Sequence, residues 1–253
     1  LEHIDDPNVE SDTAAVEMGA EWRRSDEQTY RLGAGLRHSD TKDALDDTKY
    51  TTFYIPAGLT FDYRNNELDA RRGYYLNYDT APFVALSGID NGFYNKFDLR
   101  GYRSFNVGDA RATTLALRLQ LGSLAGPSLE DSPSDFLFYS GGGGTVRGHD
   151  YQSLGVQVGS DDDDIVGGRS FLGISTEVRF RTKGALGYVG FFDAGYIGRE
   201  SYPGKSGEWH TGAGLGVRYA TPIGPIRFDF AVPTSNNNGD NNFQLYFGIG
   251  QAF

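Results

Sequence analysis

Apolar and polar residues take turns along this chain, and a period of two permits only one kind of backbone. In "TTLALRLQLG" (113–122), Leu115, Leu117, Leu119 and Leu121 share one side, with Thr114, Ala116, Arg118 and Gln120 on the other. "FQLYFGIGQAF" (243–253) places Phe243, Leu245, Phe247, Ile249 and Phe253 on one side and Gln244, Tyr246, Gly248 and Gly250 opposite. Successive strand side chains point to opposite faces, so this alternation predicts strand. It recurs in "VEMGAEW", "YRLGAGLRH", "FYIPAGLTFDYR", "YYLNYDT", "FYNKFDLR", "FLGISTEVRF", "YVGFFDAGY", "GAGLGVRY" and "IRFDFAV". That makes about eleven strands of roughly the 9–11 residues that cross a bilayer when tilted. Helical spacing is sustained nowhere, and no run of about 18 apolar residues exists to form a transmembrane helix. The chain is expected to be all-β.

Which face lies inward decides the class. A soluble sandwich or up-and-down barrel turns its apolar faces together. A membrane barrel inverts this, with apolar side chains toward lipid and charged or small ones lining a wet lumen. Hydrophobic residues are only 38 %, yet aromatics reach 14 % and glycines number 35, which suits strands with one apolar face and no thick interior. The polar face carries opposite charges on neighbouring strands: Lys96, Asp98, Arg100, Arg118, Glu177, Arg179, Arg218, Arg227 and Asp229. Tyr and Phe gather near strand ends, as in interfacial girdles. Short turns ("TKGA", "PIGP") alternate with long polar loops ("SLAGPSLEDSPSD", "VGSDDDDIVGG", "RESYPGKSGEW"). The expectation is a transmembrane antiparallel β-barrel, with the soluble arrangement as the alternative. Neither a linker nor a long internal repeat divides the 253 residues.

Composition also excludes partners. A net charge of −11 argues against nucleic acid, which needs a basic stripe. The absence of Cys rules out a disulfide framework and thiolate metal ligands. The opening "LEHIDDPNVESD" lacks a signal-peptide pattern, so an exported protein would have lost its N-terminus or be represented here by a fragment.

"GGGGTVRGHD" (141–150) is the densest glycine run. It lacks the Gly-Lys-Ser/Thr and following helix of a phosphate loop. His3, His38, His149 and His210 are scattered, without the spacing of a metal site. Asp62 with Asp98 could serve as acid and base, but among arginines such carboxylates are expected to be ion pairs. The acidic run at 161–164 reads as a solvated loop rather than a cation site. No catalytic residue and no cofactor are expected. Four glycines permit positive φ, so a long loop can fold sharply back with Arg147 at its tip. Turned into the lumen, Arg147 would require carboxylate partners. Glu177 and Asp193 are the candidates, on the polar face by parity if Phe192, Ala194 and Tyr196 point outward.

Four segments resemble the Omp85 family of outer-membrane proteins. "GGGGTVRGHDYQ" is similar to its Val-Arg-Gly-Phe/Tyr loop and "FFDAG" to its Phe-x-Asp-x-Gly strand motif. "GVRYATPIGPIRFDFAVP" with the terminal "LYFGIGQAF" is similar to its last three strands, ending in a β-signal. "TPIGPIR" and "GIGQAF" most resemble the TamA branch, the outer-membrane subunit of the translocation and assembly module. The resemblance implies a sixteen-strand barrel in a Gram-negative outer membrane, of which residues 1–253 would be the C-terminal part, without POTRA domains or the first strands. His149 stands where the family has Phe or Tyr, which implies a loop anchor sensitive to pH.

What the resemblance implies for function is insertion and folding of other β-barrels, autotransporters above all. Its partners would be membrane lipid, unfolded barrel substrates and an inner-membrane-anchored, periplasm-spanning partner of the TamB kind. Val146, Arg147, Gly148, Glu177 and Asp193 would form the lumen lock. The strand with Phe243, Leu245, Phe247, Gly248, Gly250 and Phe253 would be one lip of a gate. Gly248 and Gly250 either let that strand curl inward or relieve crowding on its lumen face. Two other classes stay open: a polypeptide secretion or diffusion pore of the two-partner type, and a plain surface barrel.

Overall fold

A computed structural model describes residues 1–45, 47–106, 112–159, 165–204, 206–235 and 243–253. Fifteen strands are β1 (Glu2–Asp6), β2 (Val9–Ser25), β3 (Gln28–Lys42), β4 (Asp47–Tyr54), β5 (Ala57–Asp62), β6 (Arg72–Ser87), β7 (Gly92–Asn106), β8 (Ala112–Ala125), β9 (Val156–Gln157), β10 (Ile165–Val166), β11 (Ser170–Arg181), β12 (Leu186–Gly198), β13 (Glu208–Tyr219), β14 (Ile226–Pro233) and β15 (Gln244–Ile249). All except β9 and β10 form one antiparallel sheet in chain order from β1 to β15, with β4 and β5 sharing a single place between β3 and β6. Among the described residues β1 and β15 are its two edges.

The faces are inverted relative to a soluble protein. Leu115 and Leu117 on β8, Val178 on β11, Leu215 on β13 and Phe228 and Phe230 on β14 are exposed outward. Thr114, Gln120, Glu177, Arg179, Asp193, Arg218 and Asp229 are buried inside. No aqueous protein of this size gains by that exchange; an apolar solvent around the sheet makes it favourable. The inner charges pair along diagonals rather than straight across. Arg100 stands opposite Arg118, and Asp98 lies between them, 2.7 Å from one guanidinium and 2.8 Å from the other. Asp62 pairs with Arg64 at 2.6 Å, so neither carboxylate of the imagined acid–base couple is free for proton transfer.

Several expectations change. A short strand, β1, precedes the eleven predicted segments; "EHIDD" has no apolar alternation and gains its ladder from the start of β2. "FYIPAGLTFDYR" is split into β4 and β5 because Pro56 has no N–H to donate. Its carbonyl still accepts from Gly33 N–H at 2.8 Å. Strands β2 and β3 run to 17 and 15 residues, longer than a bilayer requires, since their ladders continue into polar sequence. The short-turn, long-loop rule holds only for the C-terminal half: 126–169 and 199–207 lie at one end, 182–185 and 220–225 at the other. At the long-loop end, Phe83, Leu124, Leu137, Phe138, Val156, Val166, Phe171 and Ile197 form a small apolar cap. Tyr196 has outward parity but is buried, its hydroxyl accepting from Gly204 N–H at 3.0 Å in the loop that covers it. The acidic run at 161–164 lies outside the described residues.

Candidate functional site

The loop between β8 and β11 folds back on itself. A bridge between Ser140 and Leu154 closes its neck, and positive φ at Gly141 and Gly142 turns the chain. Gly142 N–H then donates to the His149 carbonyl at 3.1 Å. The tip carries Val146 and Arg147 into the lumen, where they are 0 % and 2 % exposed. Gly148, with φ +103, continues the turn at an angle that L side chains resist.

Three strands receive Arg147. Its Nε and Nη2 donate to the two Asp193 oxygens on β12 at 2.7 and 3.0 Å, and its own backbone N–H donates to Asp193 at 3.2 Å. Nη1 donates to Glu177 on β11 at 2.6 Å and lies 3.7 Å from Asp229 on β14. The guanidinium sits 3.6 Å over the Phe191 ring. Glu177 also accepts from Arg179 Nε at 2.7 Å, and Asp229 accepts from Arg218. Arg147, Arg179 and Arg218 thus bond or pair with Glu177, Asp193 and Asp229, three cations against three anions. A buried guanidinium is tolerable only with such matching.

The wall is shaped for the loop. A Cβ on Gly212 of β13 would lie 1.9 Å from the Arg147 carbonyl oxygen, so only glycine lets the two backbones approach. His149 is fully buried and its Nε2 donates to the Thr211 carbonyl at 3.1 Å, which fixes a proton on that nitrogen.

The same loop grips the sheet edge. Gly148 N–H donates to the Tyr246 hydroxyl on β15 at 3.1 Å, that hydroxyl donates to the His149 carbonyl at 3.4 Å, and Gln244 donates to Asp150. On the far side, Asn8 and Gln152 bond one another's neighbourhood: Asn8 donates to the Gln152 carbonyl at 2.7 Å and Gln152 to Asp6 at 2.9 Å. Replacing Tyr246 with Phe removes two bonds between loop and edge. Hydrogen exchange at the Gly148 amide is expected to rise about fivefold, the equivalent of roughly 1 kcal/mol, with the β11–β12 ladder unchanged.

Val146, Arg147, Gly148, Glu177 and Asp193 therefore come together. Phe243, Leu245 and Phe247 lie elsewhere, on the outer face, at 51 %, 53 % and 75 % exposure. The two glycines divide the roles proposed for them: a Cβ on Gly248 would lie 3.1 Å from Arg227 Nε, whereas Gly250 has φ +90 and turns the chain inward. Phe253 corrects the sequence reading. It does not continue the outward row but is buried with Ala70, Tyr102 and Ala116, because the turn at Gly250 breaks the parity. Asp229, Arg179, Gln244 and Tyr246 were missed as site residues. Their inward parity was readable; their depth beside the loop was not. Among the described residues, no group of three or more His, Asp or Glu is placed to hold a metal ion.

Known proteins match this architecture. The BamA structure from Haemophilus ducreyi lacking POTRA domains 1–3 superposes with a TM-score of 0.76 at 19 % identity, over 94 % of this chain and 54 % of that one. CdiB from Acinetobacter baumannii gives 0.58 at 13 % identity, over 94 % and 42 %. A SAM50-like protein of Schizosaccharomyces pombe is 23 % identical over 226 residues, 83 % of this chain and 46 % of that protein. The chain thus spans about half the length of these relatives. The Omp85 superfamily domain matches residues 2–253, from the first strand to the inward-turned end, and the chain belongs to that superfamily.

Proposed function

We propose that this chain is the barrel part of an outer-membrane assembly factor that promotes insertion and folding of other β-barrel proteins. The observation that carries the reading is the edge strand. β15 has 6 residues where β12 has 13, and only six residue pairs hold it to β14. A last strand held by so short a ladder can exchange bonds with a client strand presented at its edge. Membership of the superfamily supports this reading. The finer proposal is a TamA-type factor with autotransporter barrels as clients and an inner-membrane-anchored, TamB-like partner. Its support is the "TPIGPIR" and "GIGQAF" forms.

The polar side of β2 and β3 also lines an open cleft of about 680 Å³ near Glu17, Arg31, Arg37 and Asp79, and the second reading is a secretion or diffusion pore. One experiment separates them. The protein at its natural length is placed in liposomes, and insertion of an unfolded autotransporter barrel is timed against empty liposomes. Acceleration is the expected result. Steady ion conductance without acceleration would replace the assembly reading with the pore.

A further inference from the structure

Arg72 opens β6 and Arg103 lies near the end of β7, and the two stand directly opposite one another in the ladder. On either side of Arg103, Tyr102 packs inward against Phe253, and Ser104 shares a 2.8 Å hydrogen bond with the buried Thr114. Alternation therefore turns Arg103 outward, like Leu115 opposite it on β8. Residues that face each other across a ladder share a side of the sheet, which puts Arg72 on the outer face with it. Both arginines are exposed. Nearby, Arg71 and Arg100 each hold a carboxylate, Asp69 at 2.8 Å and Asp98 at 2.7 Å. Among the described residues, neither Arg72 nor Arg103 makes an ion pair or a side-chain hydrogen bond.

Like charges placed directly opposite repel, and the fold keeps this pair without a protein counter-charge. Its depth points to what supplies one. β8 runs into the long loop at 126, so the end of antiparallel β7 and the start of β6 lie at the short-turn end of the barrel. There the Tyr63 and Tyr74 rings pack 5.0 Å apart, and Trp22, Tyr30 and Phe61 form a further ring cluster at that end. Amphipathic rings settle at the headgroup level of a bilayer, so the two guanidinium groups stand among lipid phosphates. Toward the middle of β7 the next outward position is Gly101, between Tyr74 and Leu117. Nothing lies within 4 Å of the place its Cβ would take, so even a methyl there would leave a gap. That gap leads from the arginines into the apolar band.

We propose that Arg72 and Arg103 form a binding site for the phosphodiester headgroup of an anionic phospholipid, with an acyl chain lying over Gly101. Two planar forks on one phosphate make charge-assisted bonds from both sides, and the anion cancels the repulsion between them. The site is on the outer wall, apart from the lumen loop, and holds whether the barrel inserts clients or conducts.

Native mass spectrometry of the detergent-solubilised protein at its natural length tests it, with phosphatidylglycerol and phosphatidylcholine of the same chains as probes. Phosphatidylglycerol should be retained on the order of tenfold better, as expected for two basic groups at an anionic headgroup. Arg72→Gln with Arg103→Gln should bring it down to the level of phosphatidylcholine, whose own retention stays unchanged. Equal retention of the two lipids by the parent, or a parent-like preference in the double variant, overturns the site. Displacement of the lipid by an equal concentration of inorganic phosphate would make this a site for a soluble anion and overturn the lipid assignment. Should the double variant not fold, Arg103→Glu takes its place, since an ion pair with Arg72 would replace the repulsion and support the ladder. The preference for phosphatidylglycerol should then vanish; its persistence refutes the proposal.

Discussion

Arg147→Ala is expected to release the lumen loop while leaving strand content intact. The buried network would fall from three cations and three anions to two and three. Asp193, 0 % exposed, would lose its arginine, and Glu177, also 0 % exposed, would keep only Arg179 of its two. Removing one member of a buried pair costs about 3–5 kcal/mol, mostly as the penalty of the charge left behind. The folded band on unheated gels should convert at a lower temperature, and protease should cut within 141–152. Circular dichroism should stay that of the parent. Asp193→Asn should act in the same direction. The double variant should be no worse than the more damaging single one, since both remove one interaction. Parent-like gel behaviour and protease resistance would show that the ion network does not hold the loop.

Gly212→Val is expected to expel the same loop with every charge in place. The new Cβ would stand 1.9 Å from the Arg147 carbonyl oxygen and 3.1 Å from its carbon, and neither is the yielding end of a flexible side chain. Lifting the loop to clear that contact lengthens the 2.6 and 2.7 Å bonds to Glu177 and Asp193 beyond usefulness. The cost is on the order of 3 kcal/mol, with the same protease signature as Arg147→Ala. Combined, the two changes should fall well short of additive. Gly101→Ala is the control: nothing lies within 4 Å of its added Cβ, and it should leave gel shift and proteolysis unchanged. A tolerated Gly212→Val would mean that the loop has another seat.

Parity along strands carried much of this fold into view. It separates Leu115 from Thr114 and puts Glu177 and Asp193 on the inner wall without any structure. A loop whose tip arginine must be neutralised then points to those acids. Parity carries no information about depth. Strand stagger brings Asp229 within 3.7 Å of Arg147 and Tyr246 against Gly148, and stagger is set by tilt around the whole sheet. Parity also fails where the backbone leaves the pleat, so Phe253, beyond Gly250, read as outward and is inward. Tyr196 shows a third limit, since its outward side is roofed by a loop. Strand β1 was invisible because its pairing owes nothing to apolar residues.

The seat of Arg147 belongs to no single strand. Its counter-charges come from β11, β12 and β14, all of which follow the loop in the chain. The arginine is therefore made before the place it occupies, and must wait in water until three later hairpin arms have closed around it. A slip of one residue in β11 or β12 would turn Glu177 or Asp193 toward lipid and leave the guanidinium without its counter-charges. The seated loop is thus compatible with one strand register alone: only a correctly registered C-terminal half can accept it.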